Sequence, residues 1–493
     1  MTATAPDSPP DSVERPAGQF FSARSPSLLI PLEWSGGLLF DLVGAPRVAF
    51  ANMHLLDWLW SLLFGTPRRP PVADSATDTR TGPAQGSGPV ATGPRGPTTP
   101  AAPSQRARLT RRTYASPTSA ARPAAPTSSQ PPYLFARPVA GQTVYLDLSQ
   151  DTDPARLEHW GLPLLRTPEE LARWLELTPA QLAWLAARFR DPNDTPSQPG
   201  ADHYHRRWVA KRRGGRRLIE SPKQLLKQTQ ARILEQILDR VPPHPSAHGF
   251  RRGHSIVSNA RPHVGQAVVL RLDLANFYPS VTYNRVVALF RSLGYCREVA
   301  CWLARLTTTA APAPLLLNAS ATERALFRRR HLPQGAPTSP ALANLSAFVS
   351  DLRLAGLARS FDVRYTRYAD DLTFSGPATL RNSLRVFLPL VRQILKQERF
   401  TLHPGKRRVE RASQRQQVTG VVVNAKINCC RRDFDLLKAI LTNCLRHGPS
   451  GQNRSGHAHF NSHLRGRIAH IARLNPRRGR QLLTLYQQID WSR

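Results

Sequence analysis

The chain reads as an α+β protein, and three features of its 493 residues predict that class. The near-continuous apolar run VVLRLD, ending at Asp273, has the composition of a buried strand. Two more β-prone runs flank Asp370 and Asp371 in RYTRYADDLTFSG, Arg364 to Gly376. Around them lie stretches with apolar residues at helical spacing, such as ALANLSAFVSDLRL and FDLLKAILTNCL.

The charge balance narrows the partners. There are 68 Lys plus Arg against 33 Asp plus Glu, a formal charge of +35. Such an excess points to a polyanion, with nucleic acid ahead of an anionic membrane surface. Hydrophobic residues make up 41% of the chain, enough for a real core. Cys296, Cys301, Cys429, Cys430 and Cys444 form no CxxC or Cys/His metal pattern. An odd count with no secretory signal predicts reduced thiols and a cytoplasmic protein.

In chain order, residues 1–132 read as an N-terminal extension. Within it, Ser27 to Gly65 is apolar and Trp-rich, but Glu33, Asp41, Arg47 and Asp57 interrupt it. It is therefore not expected to span a membrane. The following Pro/Ser/Thr/Arg-rich stretch to Pro132 cannot bury enough surface to offset ordering entropy and is expected to be a disordered linker. Residues 133–200 are expected to be helical. Thr167-Pro-Glu-Glu170 and Thr178-Pro-Ala-Gln181 each set a capping residue before a proline and a third-position Glu or Gln. Residues 201–424 hold the acidic elements, and 425–493 form a basic helical end. His457, His459 and His463 lack acidic or Cys partners at metal-ligand spacing, so no metal site is expected there.

The chemistry centres on the acidic residues. Aspartates in a turn also serve local hydrogen bonding, so YADD alone is weak. Asp273 changes its weight, because a carboxylate ending an apolar strand is costly unless paired or bound to a metal. Brought together by folding, three carboxylates offer the hard oxygen ligands that suit Mg²⁺. Two such ions can serve an attacking hydroxyl and a leaving pyrophosphate. RWVAKRRGGRRLIESP reads as a basic hairpin around Gly214 and Gly215, whose Lys211 and Arg217 fit either a triphosphate or a nucleic-acid backbone. Gln334 and Gly335, in HLPQGAPTSPALANL, form either a close approach to a base pair or a plain helix entry. Tyr278 fits either an incoming sugar or the core.

These segments, in this order, resemble the reverse transcriptase family. LDLANFYPSV looks like its first palm motif, LPQGAPTSPALANL its second and YADD its catalytic third. HPGKRRV is similar to the fourth, and RRGGRRLIESP to the fingers motif. Within that family the chain looks most like retron reverse transcriptases. SNARPH resembles their NAxxH element and QQVTGVVVN their VTG element, and GRIAHIARLNPRRGRQLLTLYQQIDW is similar to the end of their thumb. The resemblance runs from about Tyr133 to Trp491 and leaves the extension uncovered.

It implies a right-hand polymerase of fingers, a palm with an antiparallel sheet, and a helical thumb. Asp273, Asp370 and Asp371 would be catalytic ligands of two Mg²⁺ ions. Lys211 and Arg217 would contact dNTP phosphates, Tyr278 would gate the sugar, and Gln334 would line the nucleotide pocket. Lys406 would protonate pyrophosphate. The thumb would read a structured noncoding RNA; on the residues alone, Arg465, Arg467, Arg473, Arg477 and Arg478 form a basic helical region that suits either an RNA backbone or a solvated charged face. The resemblance further implies DNA primed from an internal guanosine 2′-hydroxyl, a branched RNA–DNA product (msDNA), antiphage defence and an effector protein. A group II intron-like or other bacterial reverse transcriptase is the alternative, although no HNH-like or paired-Cys pattern follows the VTG element. A non-catalytic RNA-binding scaffold is the alternative of another class.

Overall fold

The structure is a computed structural model. It describes residues 127–139, 142–187, 202–211 and 214–492. The apolar segment Ser27 to Gly65 and most of the expected linker lie outside these residues. Residues 127–132, expected within the linker, are among those described. Strand β1 (Thr127–Ser128) already pairs antiparallel with β2 (Tyr145–Leu146), and Tyr133 is buried. Backbone pairing to a neighbouring strand supplies the order that side-chain burial could not.

Three short helices follow, Pro154–His159, Pro168–Trp174 and Pro179–Ala186. Thr178 and Gln181 close the reciprocal cap read from the sequence. At the other site Thr167 caps the Glu170 amide, while the Glu170 carboxylate accepts from Arg166 N–H. The last two helices pack on helix Arg297–Thr307, with Leu171 and Leu182 fully buried. Their role is packing.

Strands β3 (Tyr204–Ala210) and β4 (Arg216–Pro222) form the basic hairpin, and Gly214 and Gly215 take the positive φ of its turn. Helix Gln224–Gln236 continues from it. The central sheet is antiparallel throughout: β5 (Val268–Asp273), β6 (Arg364–Tyr368), β7 (Asp371–Gly376) and β8 (Arg408–Arg411) run in the order β6-β7-β5-β8. Leu270, Leu272, Leu372 and Phe374 fill the larger core from one face of this sheet. Val269, one position out of phase, joins a second core with Val418, Leu437, Leu464 and Leu482. That core belongs to the C-terminal helices Arg431–His447, Phe460–Leu474 and Pro476–Gln487. His447 ends the first of these helices, and His463 lies within the second.

Candidate active site

The period-two alternation of strands decides where the carboxylates go. Asp273, the last residue of β5, stands directly opposite Asp371, the first residue of β7. Asp370 precedes it in the two-residue connection from β6. Asp273 and Asp371 share the sheet face with Arg271 and Thr373, away from the leucines of the core.

Crowding makes these acids costly. Burial, then the Asp273 charge, pushes the Asp370 carboxyl above its ordinary range. Burial, then Asp370, pushes Asp371 up to about 6, with Arg271 and Lys406 opposing. Lys406 Nζ donates to both Asp273 oxygens, at 2.8 and 2.9 Å. Among the described residues, no three His, Cys, Asp or Glu side chains already stand in coordinating geometry. The donor chemistry nonetheless fits a hard divalent cation: the acids offer only oxygens, they repel one another, and a lysine ammonium already sits on one of them.

The acidic turn is bolted from beneath. Ala369 adopts a left-handed φ of 56°, a costly conformation for a residue with a Cβ. Its carbonyl accepts from Arg367 Nη1 at 3.0 Å. Arg367 is fully buried and forks onto Asp351, with Nε to Oδ1 at 2.8 Å and Nη2 to Oδ2 at 2.7 Å. Nη1 also reaches Asn344 Oδ1 at 2.9 Å, and Asn344 Nδ2 donates to the Gly249 carbonyl at 2.8 Å. A Cβ on Gly249 would lie 2.6 Å from the Ala369 nitrogen, so only glycine allows this approach.

In front of the acids opens a cleft of about 1790 Å³. Lys211, Arg217, Asp273, Gln334, Asp371 and Lys406 all line it, together with Arg271 and His403. Lys211 and Arg217 are exposed at the end of the hairpin, and the Arg217 charge is felt at Asp370. The hairpin is latched to the Gln334 turn. Glu220 N–H donates to the Gln334 carbonyl at 2.8 Å, and the buried Glu220 carboxylate meets Arg206 Nε at 3.1 Å and His331 Nε2 at 2.8 Å. Tyr278 stands beside Asp370, and burial, then that charge, drives its phenol far above the ordinary range.

Sequence reading missed Arg271, Asp351 and Arg367. No local signal set the last two apart, since Asp351 shares its helix with Arg353 and Arg359, and Arg367 shares its strand with Arg364.

Residues 209–423 match the family described as reverse transcriptase (RNA-dependent DNA polymerase). Over 337 residues the chain is 39% identical to the Retron Mx65 reverse transcriptase of Myxococcus xanthus, covering 67% of this chain and 73% of that protein. The Retron Mx162 reverse transcriptase of the same organism is 37% identical over 344 residues, covering 67% and 68%. The Retron Ec86 reverse transcriptase of Escherichia coli is 28% identical over 340 residues, covering 68% and 93%. This chain belongs to the retron reverse transcriptases.

As a retron reverse transcriptase it is an RNA-directed DNA polymerase, and dependence on a divalent metal goes with that family. Two elements that marked the retron resemblance meet in space. Asn259 Nδ2 approaches Thr419 Oγ1 at 3.5 Å, Thr419 Oγ1 donates to the Ile256 carbonyl at 3.3 Å, and Gly265 N–H donates to the Val423 carbonyl at 3.0 Å. His263 lies fully buried, with Nδ1 2.6 Å from Ser375 Oγ and Nε2 2.7 Å from Thr366 Oγ1. Burial, then His248 and Arg364, hold its pKa down to about 3, so the ring is neutral. NAxxH and VTG together join the palm sheet of the retron enzyme to its thumb.

On the thumb, Arg465, Arg473 and Arg477 are exposed and Arg467 is half-buried. Arg478 lies 4.7 Å over the Phe434 ring and donates to Cys429 Sγ at 3.5 Å, so part of its work is packing. His457 and His463 stack at 3.9 Å. Among the described residues no helix is long and apolar enough to cross a membrane.

Proposed function

We propose that this enzyme copies a structured noncoding RNA into DNA, primes from an internal guanosine 2′-hydroxyl of that RNA, and so makes branched msDNA. The single observation that carries the catalytic part is the convergence of Asp273, Asp370 and Asp371 beside a cleft lined by Lys211, Arg217, Gln334 and Lys406. Retron membership supports the branched product. In this reading the three carboxylates hold two Mg²⁺ ions. Bound there, the ions supply activation of the attacking hydroxyl and stabilisation of the leaving pyrophosphate.

The protein does the positioning. Lys211 and Arg217 hold the triphosphate from the hairpin, and Gln334 lines the base pair. Tyr278 closes the space a ribose 2′-hydroxyl needs. Lys406, whose ammonium lies on Asp273, would turn to the pyrophosphate and deliver a proton to it. Arg465, Arg467, Arg473, Arg477 and Arg478 bind the RNA backbone. The five cysteines are all free thiols, which supports a cytoplasmic enzyme. The product serves antiphage defence with an effector protein.

The test is DNA synthesis by the full chain with dNTPs, Mg²⁺ and RNA transcribed from beside its gene. Products are compared before and after debranching treatment. A mobility shift on debranching is expected, and linear DNA alone removes the 2′-primed reading. Replacing Asp370 and Asp371 by Ala is expected to abolish synthesis and keep RNA affinity. Synthesis by that variant overturns the site assignment. Loss of phage protection in cells carrying the same variant checks the defence role.

A further inference from the structure

Behind the acidic turn, on the segment Gly249 anchors, one residue is anomalous. Phe250 has a left-handed φ of 55° and remains 55% exposed. A bulky aromatic in that conformation is strained, and an exposed ring recovers little by burial. Its position is nonetheless firmly set. The preceding carbonyl, of Gly249, accepts from Asn344, and Gly249 abuts the Ala369 nitrogen. The bolt that holds the Asp370–Asp371 turn therefore also holds Phe250.

The surroundings indicate what the ring is for. Its centroid lies 6.4 Å from Tyr278 and 6.3 Å from Tyr368, which flank the acidic residues in space and in sequence. Arg251 and Arg252 follow it directly in sequence; Arg252 is exposed, with its guanidinium 3.2 Å from Asp239 Oδ2. It does not line the cleft that carries Lys211 and Arg217. An aromatic face beside guanidinium groups is the pairing that stacks a nucleobase and steadies its phosphate.

We propose that Phe250 is a stacking platform for a nucleobase of the bound primer–template, held at a fixed distance from the acidic turn by the Arg367–Asp351 bolt. This rests on the acidic trio being the reaction centre. The strain at Phe250 is then a standing cost in the free protein, met by stacking on the base.

The test uses the full chain, an RNA template annealed to a DNA primer, and equilibrium binding without dNTPs. Phe250→Ala is expected to bind this duplex about tenfold more weakly, and Phe250→Trp at least as well as the native enzyme. Single abasic sites are then placed in turn through the template and at the primer end. At one position the native enzyme is expected to lose the same tenfold, with Phe250→Ala losing nothing further. A template position identifies an RNA base, and the primer end identifies a DNA base. Equal native-to-variant ratios on every abasic substrate overturn the proposal.

Phe250→Gly adds a second readout, because glycine adopts positive φ freely. It is expected to raise the melting temperature while weakening binding. A lower melting temperature makes the ring structural and overturns the platform. Binding without dNTPs does not depend on turnover, so a wrong assignment of the acids leaves this result readable.

Discussion

Tyr278 shows how one side chain is given its task by what surrounds it. Burial and Asp370 both keep its phenol protonated, so the ring stands next to the carboxylates as a neutral, bulky wall. Removing that wall with Tyr278→Ala is expected to raise ribonucleotide incorporation relative to deoxyribonucleotide by roughly 10- to 100-fold. Single-nucleotide extension assays with matched rNTP and dNTP measure it, and an unchanged ratio ends the gate reading. Lys406 shows the same dependence on neighbours. The family resemblance sets it at the pyrophosphate, and the structure places its ammonium on Asp273. Both positions satisfy one demand, a cation beside concentrated negative charge.

The β6–β7 hairpin depends on a residue that never reaches the cleft. Breaking only one partner of the Arg367–Asp351 pair strands a buried charge and risks unfolding. Replacing both with apolar residues of similar volume avoids that cost while removing the bonds to Ala369 and Asn344. The double variant Arg367→Met, Asp351→Leu leaves the buried Tyr365 hydroxyl, which donates to Asp351 Oδ1 at 2.7 Å, without that acceptor. It is thus expected to stay folded and melt a few degrees below the native enzyme. Its kcat is expected to fall about 100-fold as the turn loses its register, with a smaller change in the KM for dNTP. A native kcat in the folded double variant leaves the bolt with a stability role alone.

Across the palm–thumb junction the buried His263 ties the sheet to the retron-specific elements. Its folded pKa lies near 3, below the ordinary value of 6.5. The unfolded chain therefore binds the extra proton, and the stability this histidine contributes is complete above about pH 6.5. It is lost as pH falls towards 3, at up to about 1.4 kcal/mol per pH unit. Melting curves for native protein and His263→Gln are expected to converge between pH 7 and 4. Parallel curves refute the linkage. The exposed thumb arginines, proposed to bind RNA, would act over longer range. Replacing Arg465, Arg473 and Arg477 by Gln is expected to lower the salt slope of RNA binding by roughly 0.7 to 0.9 for each phosphate that is no longer neutralised. An unchanged slope returns those residues to a solvated face.

Much of this molecule was legible from its sequence, for local reasons. Strands β5, β6 and β7 follow from apolar and β-branched runs, the basic hairpin from Gly214 and Gly215, and the Thr178 cap from four adjacent residues. The ordered motifs identified the polymerase and the retron family, because an active site built on strand ends keeps its residues in recognisable strings. Other features depended on residues distant in the chain meeting one another, and there sequence was silent. It determined that Asp273 and Asp371 carry charge at the ends of strands, whereas antiparallel pairing decided that they face each other. Nothing local singled out Arg367 or Asp351, and only folding joined them beneath Ala369. The physical reason is range: propensities and caps act over a few residues, while ion pairs, close backbone approaches and cross-strand register exist only once the chain has closed on itself.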